Sequence, residues 1–113
     1  MSTRNNDDRL QDILLHIKKL DDFFKDTSFE VFITSDKDIF AIAMCFTIIG
    51  EAASHISTYF KNKHSNIPWR EMKDMRNFSV HQYWEINPKI LWDTYYDDIK
   101  PLKQDIETLI HSL

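Results

Sequence analysis

Apolar residues at Leu10, Ile13, Ile17, Leu20 and Phe24 recur in steps of three and four, the spacing of one face of an α-helix. Asn6, Asp7 or Asp8 can cap its start, and residues 1–7 read as a flexible N-terminus. A short apolar segment, "FEVFI", follows and is predicted to form a helical turn. Ser35 with Asp38 three positions later resembles a capping box, Asp standing for the usual Glu. Behind it Ile39, Ile42, Phe46, Ile49, Ala53, Ile56 and Phe60 again alternate threes and fours, predicting one helix through Phe60. Ala41, Cys45, Ile48 and Ala52 widen this stripe, so the helix is expected to be central and packed on more than one side. Cys45 and Met44 read as core filling. Gly50, Ala53, Ser54 and Ser57 are small enough for another helix to approach closely.

The stretch "NKHSNIP" breaks the pattern, and Asn66 and Pro68 open a third helix through "WREMKDM". The chain turns irregular near Trp84. Asn87–Pro88 is a cap followed by proline at the first helical position. The last helix carries Leu91, Tyr95, Ile99, Leu102, Ile106, Leu109 and Leu113. Pro101 removes a backbone donor within it, which predicts a kink near Asp97. The pattern as a whole predicts an all-α, up-and-down bundle of about four main helices in a single domain over residues 1–113.

Composition supports this. One glycine and three prolines in 113 residues disfavour turn-rich β architecture. A single cysteine rules out an internal disulfide, and the polar residues after Met1 do not resemble a signal peptide. The apolar run Ile39 to Gly50 is shorter than the roughly 20 residues a membrane span needs. A cytoplasmic location without a membrane partner is expected. The net charge of −4 argues against a protein that coats nucleic acid. Yet Lys61, Lys63, Arg70, Lys73 and Arg76 stand against only Glu71 and Asp74 in the segment 61–76. A basic patch on an acidic body suits a focused site.

That patch runs into "MRNFSVHQYWEI", residues 75–86, where Arg76, Asn77, His81 and Tyr83 crowd together. An imidazole can take or give a proton at neutral pH. An arginine stays charged and forks onto phosphate oxygens. Asn77 can orient a phosphate or hydroxyl, and Tyr83 can stack on a base. With RNA the 2′-hydroxyl is an internal nucleophile, so neither metal nor cofactor is required. Arg76 and His81 lie about 140° apart around a regular helix. They form one site only if the helix breaks near His81 or a symmetry-related copy supplies the second group. A solvated helix end is the competing reading of the same residues.

The stretches "IIGEAASHI", "IPWREMKDMRNFSVHQYW" and "ILWDTYYDDIKPLK" resemble the HepT-like branch of the HEPN superfamily, over nearly the whole chain from about Asp8 to Ile110. The specific element is R-x4-H-x-Y, met by Arg76, His81 and Tyr83. The resemblance implies a metal-independent endoribonuclease toxin of a type VII-like toxin–antitoxin pair, with its site at a homodimer interface. Arg76 and His81 would be the catalytic pair and Asn77 and Glu51 supporting residues. The implied partner is an MntA-like nucleotidyltransferase antitoxin that transfers AMP to Tyr83. Where relatives often read "RNLEIIGEA" this chain reads "MCFTIIGEA", with Met44 and Thr47 in place of charged residues. The alternative is a non-catalytic helical subunit that presents a surface to such a transferase; a third reading is a free-standing nucleotide-binding protein.

The remaining polar groups read more plainly. Glu51 and His55, four apart on one helix, are placed to form an acid–base pair, against the plainer reading of an ordinary surface pair. His16, His64 and His111 lack metal-ligand spacing and are expected to be solvated. Trp69 and Trp84 are core anchors. Asp93, Asp97, Asp98 and Asp105 form the wet face of the last helix. The glycine-rich phosphate loop of P-loop hydrolases does not occur.

Overall fold

In the computed structural model, which describes residues 5–78 and 86–113, all regular structure among the described residues is helical. Helix α1 spans Asn6–Phe24. Its cap is Asn5, one residue ahead of the predicted candidates, and it begins within the stretch assigned to a flexible N-terminus. Asn5 Oδ1 accepts from Asp8 N–H at 2.9 Å while Asp8 Oδ2 accepts from Asn5 N–H at 3.2 Å, a complete capping box. The predicted stripe Leu10, Ile13, Ile17, Leu20 and Phe24 is buried throughout. Each such side chain contributes on the order of 1.5–3 kcal/mol by leaving water.

"FEVFI" forms the four-residue helix α2, Phe29–Phe32, capped by the Ser28 hydroxyl. Helix α3 spans Asp36–Ser54, with Ser35 Oγ accepting from Asp38 N–H at 3.3 Å. It stops short of Phe60. Ser57 interrupts the predicted helix by capping a separate helix α4, Thr58–Lys63. Asn6 pins this break: its amide nitrogen donates to Ser57 Oγ at 3.2 Å and its Oδ1 accepts from Ser57 N–H at 3.1 Å. An interaction 51 positions away in the chain overrides a local apolar pattern that continues through it. Because α1 meets the end of α3 at Asn6 and the segment before α3 through the Phe24–Phe32 contact, the two long helices run antiparallel. Ile39, Ile42, Phe46, Ile49 and Ala53 are buried between them and their neighbours. Cys45 joins this core, but Met44 is 44% exposed, which corrects its reading as core filling.

Helix α5, Trp69–Asp74, follows Pro68 and continues into a 3₁₀ turn, Met75–Asn77. Trp69, Met72 and Met75 are buried at steps of three. Trp69 Nε1 donates to the His64 carbonyl at 3.0 Å, so Trp69 is the core anchor its position predicted. Trp84 lies outside the described residues.

Asn87 caps α6, Pro88–Thr94, with Pro88 in the first turn. The kink predicted near Asp97 is a π-helical turn, Tyr95–Ile99, in which Lys100 N–H reaches back five residues to the Tyr95 carbonyl. Two forces place it there. Pro101 cannot donate to the Asp97 carbonyl, and the steps Leu91–Tyr95–Ile99 drift by about 80° on a regular helix, which a wider turn absorbs. Helix α7, Lys100–His111, then buries Leu102, Ile106 and Leu109 against α1. Leu113 falls beyond it and is exposed.

Candidate active site

The site is assembled where α3 meets the 3₁₀ turn. Trp69, Met72 and Met75 seat α5 and its continuation on the apolar side of α3, and the tighter turn at Met75–Asn77 lifts Arg76 and Asn77 onto the surface. Gly50, the chain's single glycine, faces the backbone of Arg76. A Cβ at Gly50 would lie 2.3 Å from Arg76 N and 2.9 Å from Arg76 Cβ, distances that no side-chain-bearing residue tolerates. The small-residue stretch on α3 thus admits a close approach, as expected, although the arriving element is a turn.

The exit of the turn is held as well. Thr47 Oγ1 lies 2.9 Å from the Ala43 carbonyl and 3.1 Å from the Phe78 carbonyl, its hydroxyl proton shared between them. The Phe78 ring meets Phe46 edge-to-face at 5.1 Å. Arg76 is therefore fixed to α3 on both sides, by Gly50 beneath it and by Thr47 and Phe46 two residues on.

The charged groups stand on the same surface of α3. Glu51 Oε1 is 4.0 Å from Arg76 Nη1, and Glu51 Oε2 is 3.3 Å from His55 Nε2. The three side chains are between 43% and 55% exposed, so the pairs add little stability and remain open to a ligand. Glu51 and His55 do form the predicted surface pair, but the pair extends to Arg76. The i, i+4 spacing showed the first link; the second depends on tertiary packing. Asn77 is exposed on the same turn. His81 and Tyr83 lie outside the described residues.

Of the basic segment, Lys61 and Lys63 lie on α4 and Arg70 and Lys73 on α5, which leads into this turn. Partial burial, and then the nearby Lys73 ammonium, hold the Lys61 pKa below the ordinary lysine value. Of the three histidines read as solvated, only His111 is exposed, because His16 and His64 find partners on their own helical segments. His16 Nδ1 is 2.7 Å from the Asp12 carbonyl and His64 packs its ring on Phe60, both half-buried, while His111 is exposed. Asp97, Asp98 and Asp105 are exposed as predicted, and Asp93 pairs with Lys89 at 2.6 Å. Among the described residues no three His, Cys, Asp or Glu side chains are grouped to hold a metal ion, and no helix is long and apolar enough to cross a membrane.

A groove of about 610 Å³ opens between α1 and α3, lined by His16, Lys19, Phe23, Met44, Cys45 and Ile48. Burial raises the Cys45 pKa, partly offset by the Lys19 charge. Met44 and Ile48 fall on one stripe of α3 with Glu51, at steps of four and three, so this apolar face is continuous with the charged one.

The described residues form an all-α bundle that seats an arginine-bearing turn against a glycine and opposes it with a carboxylate. A family model described as "Ribonuclease HepT-like" matches residues 13–109. "Probable ribonuclease HepT" of Thermococcus cleftensis is 39% identical over 94% of this chain and 96% of its own length. "Putative RNase MJ1380" of Methanocaldococcus jannaschii is 34% identical over 95% and 98%, and "Putative RNase TTE0752" of Caldanaerobacter subterraneus 32% identical over 89% and 90%. The chain belongs to the HepT-like family of ribonucleases. No solved structure matches it.

Proposed function

We propose that this protein is a metal-independent endoribonuclease in which Arg76 and His81 act on the RNA phosphodiester, Asn77 and Glu51 support them, and the site is completed at a homodimer interface. The observation that carries this reading is the seating of Arg76: its backbone is locked against Gly50 while its guanidinium stays half-exposed beside Glu51. A guanidinium so held can fork onto the non-bridging phosphate oxygens and stabilise the charge that builds as the 2′-hydroxyl attacks. His81 relays a proton. The apolar stripe of α3 supports docking of a second copy, since Met44 is exposed on the face that leads to Glu51 and a two-fold axis would bring two such faces together.

The reading extends to regulation. The protein acts as a toxin held in check by an MntA-like nucleotidyltransferase, which transfers AMP to Tyr83. The adduct would set bulk and negative charge two residues from His81, where RNA phosphate must bind.

The test is cleavage of RNA by wild type, Arg76→Ala and His81→Ala with EDTA present. Wild type should cut RNA and spare its 2′-deoxy counterpart, and each variant should lose on the order of 10²–10³-fold in rate. Equal cleavage by all three would remove these two residues from the chemistry. Met44→Glu should yield monomers in sedimentation, and Tyr83→Phe should abolish the AMP mass gain on incubation with the transferase and ATP. A complex with the transferase but no RNA cleavage would favour the non-catalytic subunit instead.

A further inference from the structure

Cleavage by an internal 2′-hydroxyl moves two protons. One leaves O2′ as the O2′–P bond forms, and another must reach O5′ as the P–O5′ bond breaks. Arg76 can move neither, because a guanidinium does not give up its proton. His81 accounts for one. The other falls either to His81 of a second copy or to a group nearer Arg76, and the described residues offer one there.

That group is His55. Its Nε2 faces Glu51 Oε2 at 3.3 Å, and the other oxygen of the same carboxylate faces Arg76 Nη1 at 4.0 Å. One carboxylate thus orients both the phosphate-binding cation and an imidazole. A carboxylate on one ring nitrogen fixes the ring and leaves the other free to exchange a proton with substrate, as in the acid–base arms of hydrolytic triads. Here the nitrogen not facing Glu51 is Nδ1. His55 caps the C-terminus of α3 and its side chain is 55% exposed, so no core packing restrains it. The other described imidazoles are held elsewhere: His16 on a carbonyl of α1, His64 on Phe60, His111 at the far end of α7.

We infer that His55 is the general acid of the reaction, donating its Nδ1 proton to the departing O5′, with Glu51 as the residue that positions it. The inference rests on the ribonuclease reading above. His81 accepts the O2′ proton as the new O2′–P bond forms, and His55 supplies the proton that converts the leaving group into a 5′-hydroxyl. The products are a 2′,3′-cyclic phosphate and a 5′-hydroxyl end. His55 leaves the step neutral and His81 protonated; exchange with water restores both.

The experiment uses the full-length protein and two oligonucleotides with a single ribonucleotide, one with the natural 5′-oxygen and one with sulfur at the bridging 5′ position. A thiolate departs without protonation. His55→Ala should slow the oxygen substrate by about 10²–10⁴-fold and change the sulfur substrate by no more than about twofold. His55→Gln, which retains a hydrogen bond to Glu51, should give the same split, and Glu51→Gln a smaller one. His81→Ala should slow both substrates. Equal slowing of both by His55→Ala would mean a structural role, and no slowing of either would place the acid on another residue, such as His81 of a second copy; either result overturns the assignment. Failure of the wild type to cleave either substrate would instead overturn the ribonuclease reading, and this inference with it.

Discussion

Among the described residues two helical turns depart from the regular α-helix, and they use the departure in opposite ways. At the 3₁₀ turn Met75–Asn77 the chain tightens and delivers Arg76 to the surface, facing Glu51, which also meets His55. At the π turn Tyr95–Ile99 it widens and delivers Tyr95 to the interior. There the Tyr95 hydroxyl donates to Asp21 Oδ1 at 2.6 Å, the ring stacks on Phe24 at 4.0 Å and 3°, and Lys103 closes the other Asp21 oxygen at 3.4 Å. Every polar group in that cluster is spoken for. At the 3₁₀ turn the contacts are longer and wet, and charge is held open. Satisfied polar groups rigidify a fold; half-exposed ones are available to a substrate.

The comparison is broken most forcefully at Gly50. Alanine is intrinsically the better helix former by up to about 1 kcal/mol, yet Gly50→Ala drives a methyl group into the Arg76 backbone. A net loss of about 1–3 kcal/mol is expected by urea denaturation, together with loss of RNA cleavage comparable to that of Arg76→Ala. A variant as stable as wild type would mean that the turn does not rest on α3.

Tyr95→Phe should cost about 1–2 kcal/mol and leave RNA cleavage unchanged, since its partners lie at the other irregular turn. Burial first, then the Asp21 hydrogen bond and charge, raise the Tyr95 pKa above the ordinary phenol value. The neutral phenol is therefore favoured by folding. Its contribution is complete below the unfolded-state pKa of about 10 and is lost as pH climbs from there toward the folded-state value. Wild-type stability should fall over that range more steeply than that of Tyr95→Phe. Parallel curves would remove Tyr95 as the cause.

The smallest effect sharpens the comparison at Thr47. Replacement by valine removes the hydroxyl that spans Ala43 and Phe78 and should cost about 0.5–1 kcal/mol, with cleavage reduced severalfold. Thr47→Ser should retain both. Identical behaviour of the two variants would show that the methyl group, rather than the bridge to Phe78, matters here.

The sequence alone determined the helices that repeat a single apolar face, because steps of three and four have one structural meaning. Leu10 through Phe24, Asn87–Pro88 and the distortion ahead of Pro101 were all legible for that reason, and so was membership of a ribonuclease family through the residues around Arg76. Only tertiary structure decided where α3 stops, because Asn6 holds Ser57 from 51 positions away. It also exposed Met44 within an apolar run, and it joined Gly50 to Arg76 and Glu51 to both Arg76 and His55. Periodicity reports which side of a helix avoids water. Which backbone arrives on that side, and which charge is set opposite another, depends on contacts between segments that have no spacing in the chain to announce them.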